Sequence, residues 1–179
     1  MKWICLGFLF VSFATYIAAQ NTTAIHQAES ACGPSNVKFA VTTASTATAT
    51  AAQPGKAQIY VIEDTGFENP IIRVGMDGQW TGATQGNSYI SFPVEPGDHH
   101  LCANWQPGYF TPPYAATALY GFNAKPDKQY FFRVRMPGLT DSFGILHSVS
   151  FEILLERVNA DEGQLLITNY PPAVSKPKK

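Results

Sequence analysis

The sequence predicts an all-β fold, an immunoglobulin-like β-sandwich with one short C-terminal helix. Three observations predict it. Short runs of alternating apolar residues recur at intervals of about 8–12 residues, the spacing of sandwich strands. The 14 Gly and 13 Pro punctuate elements rather than extend them. Only the stretch after Val158 carries a helical start signal, with Asn159 or Asp161 available as its cap. No internal repeat at solenoid spacing competes with this reading.

Composition narrows the function classes before any motif is sought. Twelve Lys and Arg against 13 Asp and Glu leave a net charge of -1, with no positive excess to neutralise phosphates. A nucleic-acid partner is therefore not expected. The 45% hydrophobic and 13% aromatic content supplies a packed core, which excludes wholesale disorder. A chain of 179 residues suits one ordinary domain.

Residues 1–19 read as a cleaved signal peptide, with an uncleaved anchor as the alternative. Met1-Lys2 supplies a short positive start, Trp3 to Ile17 is apolar apart from small hydroxyl residues, and Ala18-Ala19 precede Gln20. The run falls short of the about 20 residues a spanning helix needs, so no transmembrane span is expected after cleavage. Ser30-Ala31-Cys32 has the small residues that precede a lipidated cysteine. Glu29 stands where an aliphatic residue belongs, however, and Cys32 lies far past the apolar run, so lipidation is not expected. Cleavage removes Cys5 and leaves Cys32 and Cys102 in an oxidising compartment, where a pair becomes a disulfide. Closing so long a loop stabilises a fold by roughly 4 kcal/mol in the chain-entropy picture.

Residues 20–53 form an N-terminal strap and a linker. Asn21 to Ser30 is polar, Ala31-Cys32-Gly33-Pro34 is a turn, and Val37 to Val41 alternates as a short strand. Thr42 to Gln53 is almost pure Thr and Ala with no periodic apolar face. The sandwich domain then spans 54–170. Ala57 to Ile62 is its first strand, followed by a turn through Asp64-Thr65-Gly66. Ile71 to Met76 and Gln79 to Gly82 flank Asp77-Gly78, which supplies the positive φ of a two-residue hairpin. Ser88 to Val94 alternates Ile90, Phe92 and Val94 with Tyr89, Ser91 and Pro93. Because Pro93 cannot donate to a ladder, this strand is expected at an edge or bulged.

Glu95-Pro96-Gly97-Asp98 turns the chain into His99 to Trp105, where Leu101, Ala103 and Trp105 share one face. Gln106 to Pro113 is a Pro/Gly-broken loop. Tyr130 to Met136 presents Tyr130, Phe132, Val134 and Met136 inward, with Arg133 and Arg135 on a solvated face. Val149, Phe151, Ile153 and Leu155 mark the last strand, and a helix through Ile167 presents Leu165, Leu166 and Ile167 to the sheet. Residues 171–179, rich in Pro and Lys, read as a disordered, frayed tail.

Several of these segments together resemble a known family. They are Pro54 to Val61, Arg73-Val74-Gly75-Met76-Asp77-Gly78, Val94 to Ala103 and Tyr130 to Val134, with the early Ala31-Cys32-Gly33-Pro34 and the closing Asp161-Glu162-Gly163. The pattern is similar to the DUF2846 family of bacterial exported proteins, in an acidobacterial-type subgroup, over Ala31 to about Thr168. The resemblance implies an extracytoplasmic (periplasmic or secreted) β-sandwich from a bacterium. It implies no catalytic residues, because the family's function is itself unknown.

Chemistry-bearing residues are sparse. His99 and His100 point to opposite faces of a regular strand and cannot readily chelate one metal, and no HExxH or His-x-His spacing brings His26 or His147 to help. No metal site, cofactor or catalytic residue is expected. Ser142, Ser148 and Ser150 lack a Gly-x-Ser-x-Gly elbow, and the Glu63-Asp64 and Asp161-Glu162 pairs are adjacent turn and cap residues. Gly75, Gly78, Gly82 and Gly86 are turn glycines with no phosphate-binding helix after them.

The better candidate is an aromatic surface. Trp105, Tyr109, Phe110, Tyr114, Tyr120 and Phe122 crowd a stretch broken by Pro107, Gly108, Pro112 and Pro113, which offers flat apolar area at low entropy cost; the competing reading is that these rings fold back and cap one end of the sandwich. The expected function is a non-catalytic binding or structural module of the bacterial envelope, contacting a protein or a polysaccharide. The alternatives are a hydrolase or metal-dependent enzyme using His99 or His100, and a protein that self-assembles through the edge strand holding Pro93.

Overall fold

The computed structural model describes residues 32–44, 53–65, 69–106, 117–143 and 146–178, with only the backbone described over 138–143 and 146–151. The expected signal peptide and most of the Thr/Ala linker lie outside these residues. Two four-stranded sheets pack face to face as an all-β sandwich. The first has the order β11 (Leu154–Val158), β8 (Gln129–Arg135), β2 (Ala57–Glu63), β5 (Tyr89–Val94). The second has the order β4 (Gln79–Gln85), β3 (Ile71–Met76), β6 (Gly97–Trp105), β7 (Thr117–Ala124). Neighbouring strands are antiparallel except β2 and β8, which run parallel. Two further antiparallel pairs stand beside them: β1 (Phe39–Thr43) with β12 (Ala173–Pro177), and β9 (Gly138–Phe143) with β10 (Leu146–Phe151).

The interior follows from the period of two. Ile59 and Val61 from β2, Ile72 and Val74 from β3, Leu101 and Ala103 from β6, and Phe132 and Val134 from β8 form one buried cluster. Each such Val, Ile, Leu or Phe side chain contributes about 1.5–3 kcal/mol of apolar burial. Pro93 pairs with Gln58 on β5, and β5 is an edge strand, the position a residue without an N–H tolerates. Asp77 and Gly78 have φ of 52° and 79°, as the tight β3–β4 turn demands.

Both outer faces are partly covered. On the first sheet, Tyr60, Ile62, Phe131 and Val158 pack against Leu166, Ile167 and Tyr170 of helix α1 (Ala160–Asn169) and its end. Asn159 caps the helix by accepting the Glu162 backbone N–H at 2.9 Å, and Asp161 and Glu162 favour the positive N-terminal dipole. Pro171-Pro172 cannot continue it. On the second sheet, the strap 32–38 is tethered by the Cys32–Cys102 disulfide, with Cα atoms 5.3 Å apart. A side chain at Gly75 would collide with the Cys32 carbonyl, so the glycine lets the strap lie close.

Several sequence expectations are corrected. The first strand lies at 39–43 rather than 37–41, because β12 supplies its backbone partners, and Thr42 and Thr43 therefore leave the linker. The tail expected to fray over 171–179 contains β12, so it is not disordered there. Residues 117–124, read within an aromatic loop, are strand β7, with Ala118, Tyr120 and Phe122 facing the core. The single strand expected through Val149 and Leu155 is two strands, broken at Glu152-Ile153. Ile153 turns into the core at this break. The helix runs to Asn169, and Leu165 faces solvent at 62% exposure instead of meeting the sheet.

Candidate functional site

The two ends of the aromatic loop are anchored by a polar network that runs beneath the strap. β6 ends at Trp105, which is half-buried against the core, and β7 begins at Thr117. Asn104, one residue before Trp105, is fully buried and donates from Nδ2 to Thr117 Oγ1 at 2.7 Å, tying one root of the loop to the other. Its Oδ1 accepts from Arg73 Nε at 2.9 Å and from Arg73 Nη2. Arg73 Nη1 donates to the carbonyls of Ser35 and Val37 at 3.2 and 2.8 Å, and its guanidinium lies 4.6 Å over the Trp80 ring. Gln106 completes the base: its N–H donates to the Ile71 carbonyl, while its side chain accepts the Phe39 N–H at 2.6 Å and donates to the Phe39 carbonyl at 3.1 Å.

The sequence-predicted residues divide accordingly. Cys32 and Cys102 form the disulfide, and both are fully buried. Tyr120 is half-buried with its ring edge-on to Phe132 at 5.3 Å, so it packs inward from β7. Tyr109, Phe110 and Tyr114 lie outside the described residues. The structure thus describes the two ends of this segment, with Trp105 and Tyr120 packed against the core.

His99 and His100 point to opposite faces. His100 is exposed, while His99 is half-buried with both ring nitrogens engaged: Nδ1 lies 2.7 Å from Asp77 Oδ2 and Nε2 lies 2.7 Å from the Glu95 carbonyl. Burial alone would lower the His99 pKa. The Asp77 hydrogen bond and charge and the Glu95 carbonyl overturn that, and the result lies above 6.5. Asp77 loses solvent, which raises its pKa, yet the His100 backbone N–H and the two histidines bring it below 3.8. Catalysis or metal ligation by His99 would first require breaking one of these two bonds. Among the described residues, no three His, Cys, Asp or Glu side chains converge as a metal-ligand set.

The sequence reading missed Arg73 and Gln58 as buried polar groups, took Glu63 for a turn residue where it ends strand β2, and underread Arg133. Arg73 is 2% exposed, and the one local signal is a guanidinium in the middle of the apolar run Ile71 to Met76. Glu63, at the end of β2, is fully buried; its Oε1 accepts from Thr65 Oγ1 and the Gly86 N–H at 3.1 Å each, and Oε2 has no partner. Desolvation pushes its pKa up to about 7. Gln58 is buried with both amide atoms unpartnered. Arg133, expected on a solvated face, bridges sheet to helix: Nε donates to Glu156 at 2.8 Å and Nη1 to Glu162 at 2.7 Å. Tyr170 Oη donates to Asp64 beside it at 2.8 Å.

No helix among the described residues is long and apolar enough to cross a membrane. No family model, curated protein or solved structure matches the chain.

Proposed function

We propose that this chain is an exported bacterial envelope protein that binds rather than catalyses, contacting a protein or polysaccharide through the segment between Trp105 and Thr117. The observation that carries the reading is the construction of the loop's base, where Asn104, Thr117, Arg73 and Gln106 tie both roots to each other and to the strap. A rigid scaffold that projects aromatic residues is how binding loops achieve contact area without a large ordering penalty. The disulfide favours an oxidising, extracytoplasmic location. The resemblance to the DUF2846 family and the immunoglobulin-like form of the sandwich belong to the same reading. The engaged state of His99 and the oxidised cysteine pair argue against nucleophilic chemistry at those residues.

The test is cross-linking in the native envelope followed by capture of the mature protein. One partner, lost in the Tyr109→Ala/Phe110→Ala variant with the fold intact, is the expected result. Capture of the chain alone would sink the reading in favour of self-assembly. A stoichiometric metal, with activity lost in His99→Ala, would replace it with the enzymatic one.

A further inference from the structure

His99 lies where two turns from different strand pairs meet. Its ring bridges the β3–β4 turn, through Asp77 Oδ2, and the β5–β6 turn, through the Glu95 carbonyl, each at 2.7 Å. Both partners are acceptors. A neutral imidazole has one N–H and can satisfy only one of them, whereas the imidazolium donates to both. We propose that His99 is a proton-operated clasp, holding the β5–β6 turn against the β3–β4 turn when protonated and releasing it when neutral.

The released partner follows from the charges. Asp77 carries the carboxylate, so the remaining proton stays on Nδ1 facing it. Nε2 then presents a lone pair to the Glu95 carbonyl oxygen, and the resulting repulsion pushes the turn away. The groups around the ring support retention of the proton in the clasped form. Asp77 faces it from the β3–β4 turn, and Asp98 adds negative charge from β6 itself. His100 adjoins it on β6 and donates its backbone N–H to Asp77 Oδ1 at 2.8 Å. From β7, the Phe122 ring lies tilted against it at 5.8 Å between centroids, and Asn123 donates to Asp98 Oδ1, both uncharged. The Glu95 carboxylate is turned to Lys56 Nζ at 2.8 Å.

Lys56, Gln58 and Lys128 line a cavity of about 340 Å³ at this end of the sandwich, and the Glu95–Lys56 pair links its wall to the clasp.

The experiment is an NMR titration of the full mature chain, following the His99 ring nitrogens and the backbone amides of Glu95 and Gly97. The expected result is a His99 midpoint above 6.5, with the turn amides shifting at the same midpoint. Asp77→Asn removes the charge but keeps a residue that tolerates the φ of 52° at this turn. It should lower both midpoints together by about one pH unit or more. Turn amides that stay fixed while His99 titrates would overturn the proposal, as would a His99 midpoint at the ordinary value. The wild-type titration decides this even if the variant does not fold.

Discussion

Arg73 carries a permanent charge at a position 2% exposed, where it meets the Asn104 side chain, two strap carbonyls and the Trp80 ring. Such a group is tolerable only while its donors are filled, because an orphaned buried donor or acceptor costs its full desolvation. Arg73→Met removes the charge but leaves Asn104 Oδ1 and the Ser35 and Val37 carbonyls without their donor. The expected loss is roughly 3 kcal/mol of stability, read as a lower denaturation midpoint. Arg73→Lys should recover little of it, since one ammonium cannot reproduce the guanidinium fork that reaches both Asn104 and the strap. A loss below about 0.5 kcal/mol for Arg73→Met would show that water replaces the network.

Helix α1 shows how an element can depend on a missing side chain. In an exposed helix, Gly→Ala stabilises by about 1 kcal/mol. Gly163 instead faces Phe131, and a Cβ there would overlap the Phe131 side chain. Gly163→Ala is therefore expected to destabilise, by roughly 1–3 kcal/mol, whereas Asn159→Ala should cost about 1 kcal/mol through the lost cap. Urea denaturation of both variants checks the two signs, and a stabilised Gly163→Ala would mean the helix stands off the sheet. The cap was legible in the sequence because it is local, as were β2, the β3–β4 hairpin, β5, β6 and β8, whose apolar residues alternate over several positions. β12 was not, since its partner β1 lies more than a hundred residues away and no local pattern announces the pairing of Phe39 with Pro177. β7 was hidden by Gly121 and by its nearness to the Pro-rich loop, though Ala118, Tyr120 and Phe122 alternate as strand residues do. At the candidate site, the disulfide followed from cysteine counting and compartment. The Arg73–Asn104–Thr117 network did not, because it joins residues from three strands that only the fold brings together.

At the scale of the molecule, Glu63 and His99 act on stability with the same sign between about pH 4.5 and 8. Glu63 holds its proton to about pH 7 in the fold, against an ordinary value of 4.5, because it is buried with Oε2 unpartnered. Between those values the folded state binds a proton that the unfolded state has released, so stability falls as pH rises through that window. The total is on the order of 3 kcal/mol and is complete above about pH 7. His99 has its pKa raised above 6.5, so its stabilisation is fully present below 6.5 and is lost as pH climbs through the folded value. Asp77 works from the other side: its pKa is held below 3.8, and its contribution is lost as pH falls through that lowered value. The sandwich should therefore be most stable in mildly acidic solution and weaken steadily towards pH 8. Glu63→Gln separates the two basic-side contributions, since it keeps an acceptor for Thr65 and the Gly86 N–H and cannot ionise. At pH 4 the variant and the wild type should denature at nearly the same midpoint, and at pH 8 the variant should be the more stable by up to about 3 kcal/mol. The decline left in the variant between pH 6.5 and 8 then belongs to His99 and should vanish when His99→Phe is added. A wild-type stability that is flat from pH 4.5 to 8 would show that Glu63 is reached by water and ionises in place.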